Sequence, residues 1–251
     1  MTRIILSGCN GKMGKTITAC VADRSDCEIV AGFDINTESA TYPVFADPAT
    51  CTVKADVIVD FSHPAMLDRV LAYAQSHSLP IVIATTGLSD DHLQSIQNAT
   101  AHIALFSSAN MSLGISLLAE LAKKAASILG TSFDVEIIEK HHNQKIDAPS
   151  GTALMLADAV KDGLPYTPSY VYDRHAVRQK RDKQEIGFSS IRGGTIVGEH
   201  DILFAGHDEC ITLSHTAASK GVFATGAINA ALFLVGKPAG YYTMKDLVSL
   251  A

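Results

Sequence analysis

The chain has 251 residues, 47% hydrophobic and 18% charged, a composition that excludes a disordered chain and allows one large or two modest domains with a buried core. With 20 Lys and Arg against 26 Asp and Glu, the formal charge is −6, which argues against a general binder of nucleic acid. No apolar run is long enough to span a bilayer, and the opening "MTRIILSGCNGKMG" lacks the apolar stretch and cleavage site of a signal peptide, so a cytoplasmic protein with no membrane partner is expected.

In chain order, 3–8 reads as a strand, 15–25 as a helix, 27–34 as a second strand and 56–62 as another. Pro64 opens a helix in which Met66, Leu67, Val70, Leu71 and Ala74 fall at helical spacing. Residues 80–86 form a buried strand, Ser89 caps the next helix, and 102–107 completes the pattern. Near-continuous apolar strands alternating with helices predict a parallel sheet covered on both faces.

The pattern then changes. Residues 112–130 read as a long amphipathic helix ended by Gly130, 133–142 as a half-buried strand, and 152–163 as a helix. After a loop at 164–185 come several strands within 185–217, joined by short turns containing Gly or His-Asp, a mainly antiparallel region. Residues 221–236 form an apolar helix expected to pack back on the first domain. The basic run 173–183 reads as a solvated loop, or as one that draws in an anionic substrate.

Gly8, Gly11 and Gly14 sit in the first strand–helix turn, where glycines let backbone N–H groups and a helix N-terminus approach a pyrophosphate. Their spacing is GxxGxxG rather than the commoner GxGxxG. Asp34 ends the second strand, where a carboxylate can accept from both adenosine ribose hydroxyls, which favours NADH over NADPH. Ile35 follows rather than arginine, although Lys12 can partly neutralise a 2′-phosphate, so dual use stays open. The five cysteines show no CxxC spacing and read as free thiols; Cys9, inside the loop, is explained by its small size.

The segment "EKHHNQKIDAPSGTA" (139–153) gathers two histidines, a lysine and a helix start. An extended chain would leave His141 and Lys145 about 13 Å apart, so the strand must end near His142 and "NQKID" must curl to bring Lys145 back. Pro149 forbids helix at Ala148, and Ser150 is a natural N-cap, leaving the N–H groups of Gly151 and Thr152 as an anion cradle. Such a cluster suits a small anionic dicarboxylate. Metal binding is the rival, but adjacent histidines rarely chelate one ion and no third ligand is set by spacing, so no metal is expected.

On "GCNGKMG", "VDFSHP", "ATTGL", "SSANMSLGI" and above all "EKHHNQKIDAPSGTA", the chain resembles the dihydrodipicolinate reductase (4-hydroxy-tetrahydrodipicolinate reductase) family along nearly its whole length. The resemblance implies an α/β protein. An N-terminal Rossmann-type dinucleotide domain (1–111 and 221–251) would join a C-terminal α+β domain (112–220) with a mixed, mainly antiparallel sheet. The second domain would bind substrate and build a homotetramer, and hinge closure would complete the enzyme. It further implies His141 as proton donor and Lys145 as its catalytic partner, with His142, Gly151 and Thr152 on the substrate beside the Ser150 cap. Dinucleotide contacts would come from Gly8, Cys9, Asn10, Gly11, Lys12, Met13, Asp34, Ala84, Thr85, Thr86, Ser108, Ala109, Asn110 and Met111. Lys12, Ala84 and Lys220 depart from the family's usual residues.

The reaction so implied is NAD(P)H-dependent reduction of a hydroxylated cyclic dicarboxylate in lysine and diaminopimelate biosynthesis. Two other readings stay open: a non-catalytic dinucleotide sensor, which leaves the 139–153 cluster unemployed, and an aspartate or homoserine dehydrogenase, whose substrates need fewer anion sites.

Overall fold

A computed structural model describes residues 1–38, 41–108 and 110–248 of the chain. The apolar runs of the first half become strands that alternate side chains between two helix layers. In β1 (Thr2–Ser7), Ile4 and Leu6 face one layer and Ile5 the other, all three fully buried. There follow α1 (Lys12–Ala22), β2 (Cys27–Phe33), the two-residue β3 (Val44–Phe45), β4 (Val57–Asp60), α2 (Pro64–Ser76), β5 (Ile81–Ile83), α3 (Asp90–Ala99) and β6 (Ala104–Ser107). The expected Ser89 cap is present: its Oγ accepts from the His92 N–H at 3.3 Å while His92 Nδ1 accepts from the Ser89 N–H at 3.2 Å.

The second architecture begins with α4 (Leu113–Leu129), which ends at Gly130 in the left-handed region (φ 54°). β7 (Asp134–His141) alternates strictly between half-buried and buried positions, and α5 (Gly151–Lys161) covers its buried face. Then come β8 (Ser169–Val171), β9 (Glu185–Arg192), β10 (Gly198–Ala205) and β11 (Cys210–Ala217). The chain closes with α6 (Gly221–Leu234), β12 (Gly240–Tyr242) and α7 (Met244–Val248).

Two compact units result, Met1–Leu113 with Lys220–Ala251, and Gly114–Ser219. In the first, a seven-stranded sheet runs β12-β6-β5-β4-β1-β2-β3, and every pairing is parallel. α1 and α6 pack on one face of it and α2 and α3 on the other, the doubly covered parallel sheet expected. In the second, a mixed sheet runs β11-β10-β7-β9-β8, antiparallel on the β11-β10-β7 side and parallel on the β7-β9-β8 side. The "GHDE" turn makes β10 and β11 a hairpin, whereas β9 and β10, consecutive in the chain, flank β7 on either side.

Three details differ from the sequence reading. α1 starts at Lys12 rather than near residue 15, because Gly11 in extended conformation is its N-cap. The expected loop 164–185 contains β8, and two short strands and a short helix (β3, β12 and α7) went unread. The basic run is exposed over most of its length, but Arg174 and Arg181 are ion-paired to Glu136 and Glu185 on the sheet, so those two cations are already neutralised.

Candidate active site

The glycine loop is shaped by close backbone approach. Gly8 has φ 76°, and a Cβ there would lie 2.5 Å from the Phe61 carbonyl oxygen; one on Gly14 would lie 2.2 Å from the Gly8 carbonyl oxygen. These glycines press the loop against the start of α1, whose first-turn N–H groups lack partners within the helix. Asp34 anchors the loop: its Oδ2 accepts from the Asn10 N–H at 2.9 Å and its Oδ1 from the Asn36 N–H at 3.0 Å. The Asn10 amide in turn donates to the carbonyls of Asn36 and Glu38, at 2.5 and 3.1 Å.

The side chains around this loop differ in what they can offer. Cys9 is buried, and its thiol is pushed up to about 11 by burial and by the Asp34 charge, so it packs rather than reacts. Lys12 is exposed, and Met13 packs against the core. After β5, Ala84 is half-buried and Thr86 exposed. Thr85 turns inward, its hydroxyl donating to the buried Asp60 carboxylate at 2.6 Å, so only its backbone remains for a ligand. After β6, the Ser108 hydroxyl donates to the Asn110 carbonyl at 2.7 Å, Asn110 Oδ1 accepts from the Ser112 N–H at 2.8 Å, and Met111 is a core residue. Ala109 lies outside the described residues. Gly8–Met13, Asp34, Ala84–Thr86, Ser108, Asn110 and Met111 all follow the carboxyl ends of parallel strands, so topology brings them to one sheet edge, where nucleotides bind in such folds. The cramped glycines and the open first turn of α1 fit a dinucleotide.

The second constellation grows from β7. Glu139 and His141, two residues apart, share its buried face. Glu139 Oε2 lies 2.5 Å from His141 Nδ1. The Arg192 guanidinium, beside His141 in the β7–β9 register, forks onto both oxygens of Glu139 at 2.7 and 2.8 Å, and the Ser150 N–H donates to it at 3.2 Å. Burial alone would raise the Glu139 carboxyl; the hydrogen bonds from Arg192, His141 and Ser190 outweigh it and hold the group at about 2. Glu139 is therefore ionised at every pH of interest, though only 1% exposed. His141, 8% exposed, is pushed below its ordinary value by burial, against the opposing pull of Glu139 and with the Lys145 and Arg192 charges adding to the lowering.

From β10, the His200 ring meets the His141 ring edge-on at 5.2 Å between centroids. His200 Nε2 lies 3.0 Å from the Ser150 hydroxyl, which also accepts from the Ala153 N–H at 3.1 Å as the N-cap of α5. Burial, with the nearby His141, pushes His200 down to about 4. Ser150 thus caps the helix as expected, and α5 starts at Gly151, one residue before the predicted Thr152. Apart from its chain neighbours and the helix's own backbone, nothing stands within 4 Å of where a Gly151 Cβ would lie. Beyond His141 the chain turns: the Lys145 N–H donates to the His142 carbonyl at 3.2 Å. Lys145 Nζ ends 2.9 Å from Asp147 Oδ1, and its charge is felt at His141 and His200. His142 is half-buried.

The structure thus draws His141, Lys145, Ser150 and Gly151 into one cluster, and adds Glu139, Arg192 and His200, which the sequence reading passed over. The Glu-x-His spacing on a strand signals a shared face and could have pointed to Glu139. Nothing local announces Arg192 or His200, which arrive through strand pairing. Among the described residues, no group of three or more His, Cys, Asp or Glu is arranged to hold a metal ion, and no helix is long and apolar enough to cross a membrane.

Comparison with known proteins matches residues 2–111 to the family profile "Dihydrodipicolinate reductase, N-terminus" and residues 114–248 to "Dihydrodipicolinate reductase, C-terminus". A 4-hydroxy-tetrahydrodipicolinate reductase of Caldanaerobacter subterraneus subsp. tengcongensis is 50% identical over 248 residues, covering 99% of this chain and 98% of that protein. One from Clostridium tetani is 50% identical over 250 residues, with the same coverage. Among solved structures, a dipicolinate-bound dihydrodipicolinate reductase from Paenisporosarcina sp. TG-14 superposes with a TM-score of 0.78 at 26% identity, covering 97% of each chain.

Proposed function

This chain belongs to the dihydrodipicolinate reductase family, and we infer from that premise that it catalyses the NAD(P)H-dependent reduction of 4-hydroxy-tetrahydrodipicolinate to tetrahydrodipicolinate in diaminopimelate and lysine biosynthesis. The geometric observation that supports this best is the His141–Glu139 contact of 2.5 Å beside a lysine and an open helix start. Those are the groups that protonating a ring bearing two carboxylates requires.

Loss of water from the hydroxylated ring leaves a conjugated imine. When bound, the nicotinamide supplies a hydride to ring C4. The residues of this chain then have three tasks. Glu139 holds the Nδ1 side of His141, so Nε2 is left to carry the proton that the resulting enamine takes up. Lys145 holds a ring carboxylate and offsets negative charge that develops during reduction. The start of α5, with the N–H groups of Gly151 and Thr152 behind the Ser150 cap, receives the same or the second carboxylate, and His142 borders it. On the other unit, the loop Gly8–Met13, Asp34, Ala84–Thr86 and Ser108–Met111 form the dinucleotide bed, with Ala109 included from the family pattern.

Asp34 keeps lone pairs for ribose hydroxyls and no arginine follows it, which favours NADH; comparison of KM for NADH and NADPH tests this, and a strong NADPH preference refutes it. A cytoplasmic homotetramer is the corresponding expectation for the whole protein, and sizing by light scattering checks the assembly. The reaction itself is tested by supplying freshly made hydroxy-tetrahydrodipicolinate and following NADH absorbance. Steady oxidation is the expected result; NADH binding without oxidation would indicate a sensor.

A further inference from the structure

The curl that returns Lys145 toward His141 also carries a carboxylate that the reduction does not use. Asp147 Oδ1 lies 2.9 Å from Lys145 Nζ, close to the start of α5, and the Lys145 ammonium is the main influence that holds its carboxyl below the usual range. A lysine ammonium and the first N–H of α5 are the two donors assigned above to a substrate carboxylate. The backbone here is fastened while the side chain is not. Arg192 Nη2 donates to the Asp147 carbonyl at 2.6 Å, yet the Asp147 side chain is 57% exposed and can swing away without unfolding anything. An internal anion occupies the ammonium, which offsets the cost of leaving it unpaired.

We propose that the Asp147 carboxylate is a built-in competitor of the substrate: it pairs with the Lys145 ammonium at the start of α5, and a substrate carboxylate displaces it. This rests on the substrate site assigned above and goes beyond it. Asp147 then sets affinity in a direction opposite to that of a binding residue, because removing its charge frees the Lys145 ammonium. It also raises selectivity, since a ligand with a single weakly held carboxylate gains little from displacing an anion already in place.

The probe is dipicolinate, pyridine-2,6-dicarboxylate, titrated calorimetrically into the full-length protein and into the variants Asp147→Asn, Lys145→Ala and Asp147→Asn/Lys145→Ala. Asp147→Asn keeps the size of the side chain and lowers Kd about two- to fivefold, the scale of freeing one partly exposed ion pair. Asp147→Ser, which also lacks the charge, gives the same sign and guards against an effect peculiar to the amide. In the Lys145→Ala background the gain disappears, because the ammonium contested by the two anions is gone. Unchanged or weaker binding by Asp147→Asn and Asp147→Ser overturns the competitor role, as does a gain that survives in the double variant. If Lys145→Ala alone binds dipicolinate as tightly as the unaltered protein, the substrate site itself is misassigned, a failure separate from that of the competitor.

Discussion

In the proposed reaction His141 carries a proton that its surroundings discourage. Burial lowers its affinity for that proton, the Lys145 and Arg192 charges lower it further, and only Glu139 pulls the other way. Before substrate binds, these surroundings therefore favour the neutral imidazole more than water does. A substrate with two carboxylates brings negative charge, which favours the imidazolium, so the acid is assembled by the ligand it serves. The sign follows for the pH profile. A group that acts protonated supports activity below its pKa and loses it above; kcat/KM, which reports the free enzyme, then falls at lower pH than kcat does. Glu139→Gln removes the one influence that raises His141, and the break in kcat/KM moves to lower pH. A break that stays in place, measured from pH 4 to 9, would leave Glu139 a structural role only.

At the scale of elements, α6 shows how a distant segment becomes part of the first unit. It is apolar nearly all round, and it crosses the chain at Met111, where a Cβ on Gly226 would stand 1.6 Å from the Met111 carbonyl oxygen. Backbone cannot yield as a flexible side chain does. Gly226→Ala must lift the helix off this contact, at a cost of about 1–3 kcal/mol read from the midpoint of denaturant unfolding. No change in that midpoint would mean that the helix seats elsewhere. Elements that were easy to read have many turns or a full alternation, as α2 and β7 do. β3, β8 and β12 each span two or three residues at a sheet edge, too few to show a period, and exist because a longer neighbour offers hydrogen-bonding groups.

For the whole molecule, the two units have separate hydrophobic cores, with the dinucleotide bed on one and the histidine cluster on the other. Chemistry and cofactor affinity should therefore separate under mutation. His141→Gln lowers kcat by about 10²–10⁴-fold. It leaves the Kd for NADH, measured by fluorescence titration, within about twofold of the unaltered protein, as expected for independent sites. A large loss of NADH affinity would show that the histidine's role is not confined to the proton.

What the sequence alone determined is local in its causes. Gly8 and Gly14 declare a cramped turn, Ser150 a helix start, Pro149 a bar to helix at Ala148, and the alternation of 133–142 the strand that presents His141. Each depends on neighbours within a few positions, so propensity and spacing suffice to read it. Tertiary structure decided which groups complete the site. Arg192 lies 53 residues beyond Glu139, and His200 lies 50 beyond Ser150. They meet because β9 and β10 take opposite sides of β7 in a register set by which faces are buried, and a shift of one residue would turn them away. That register is a property of the assembled sheet, to which no single segment holds the key.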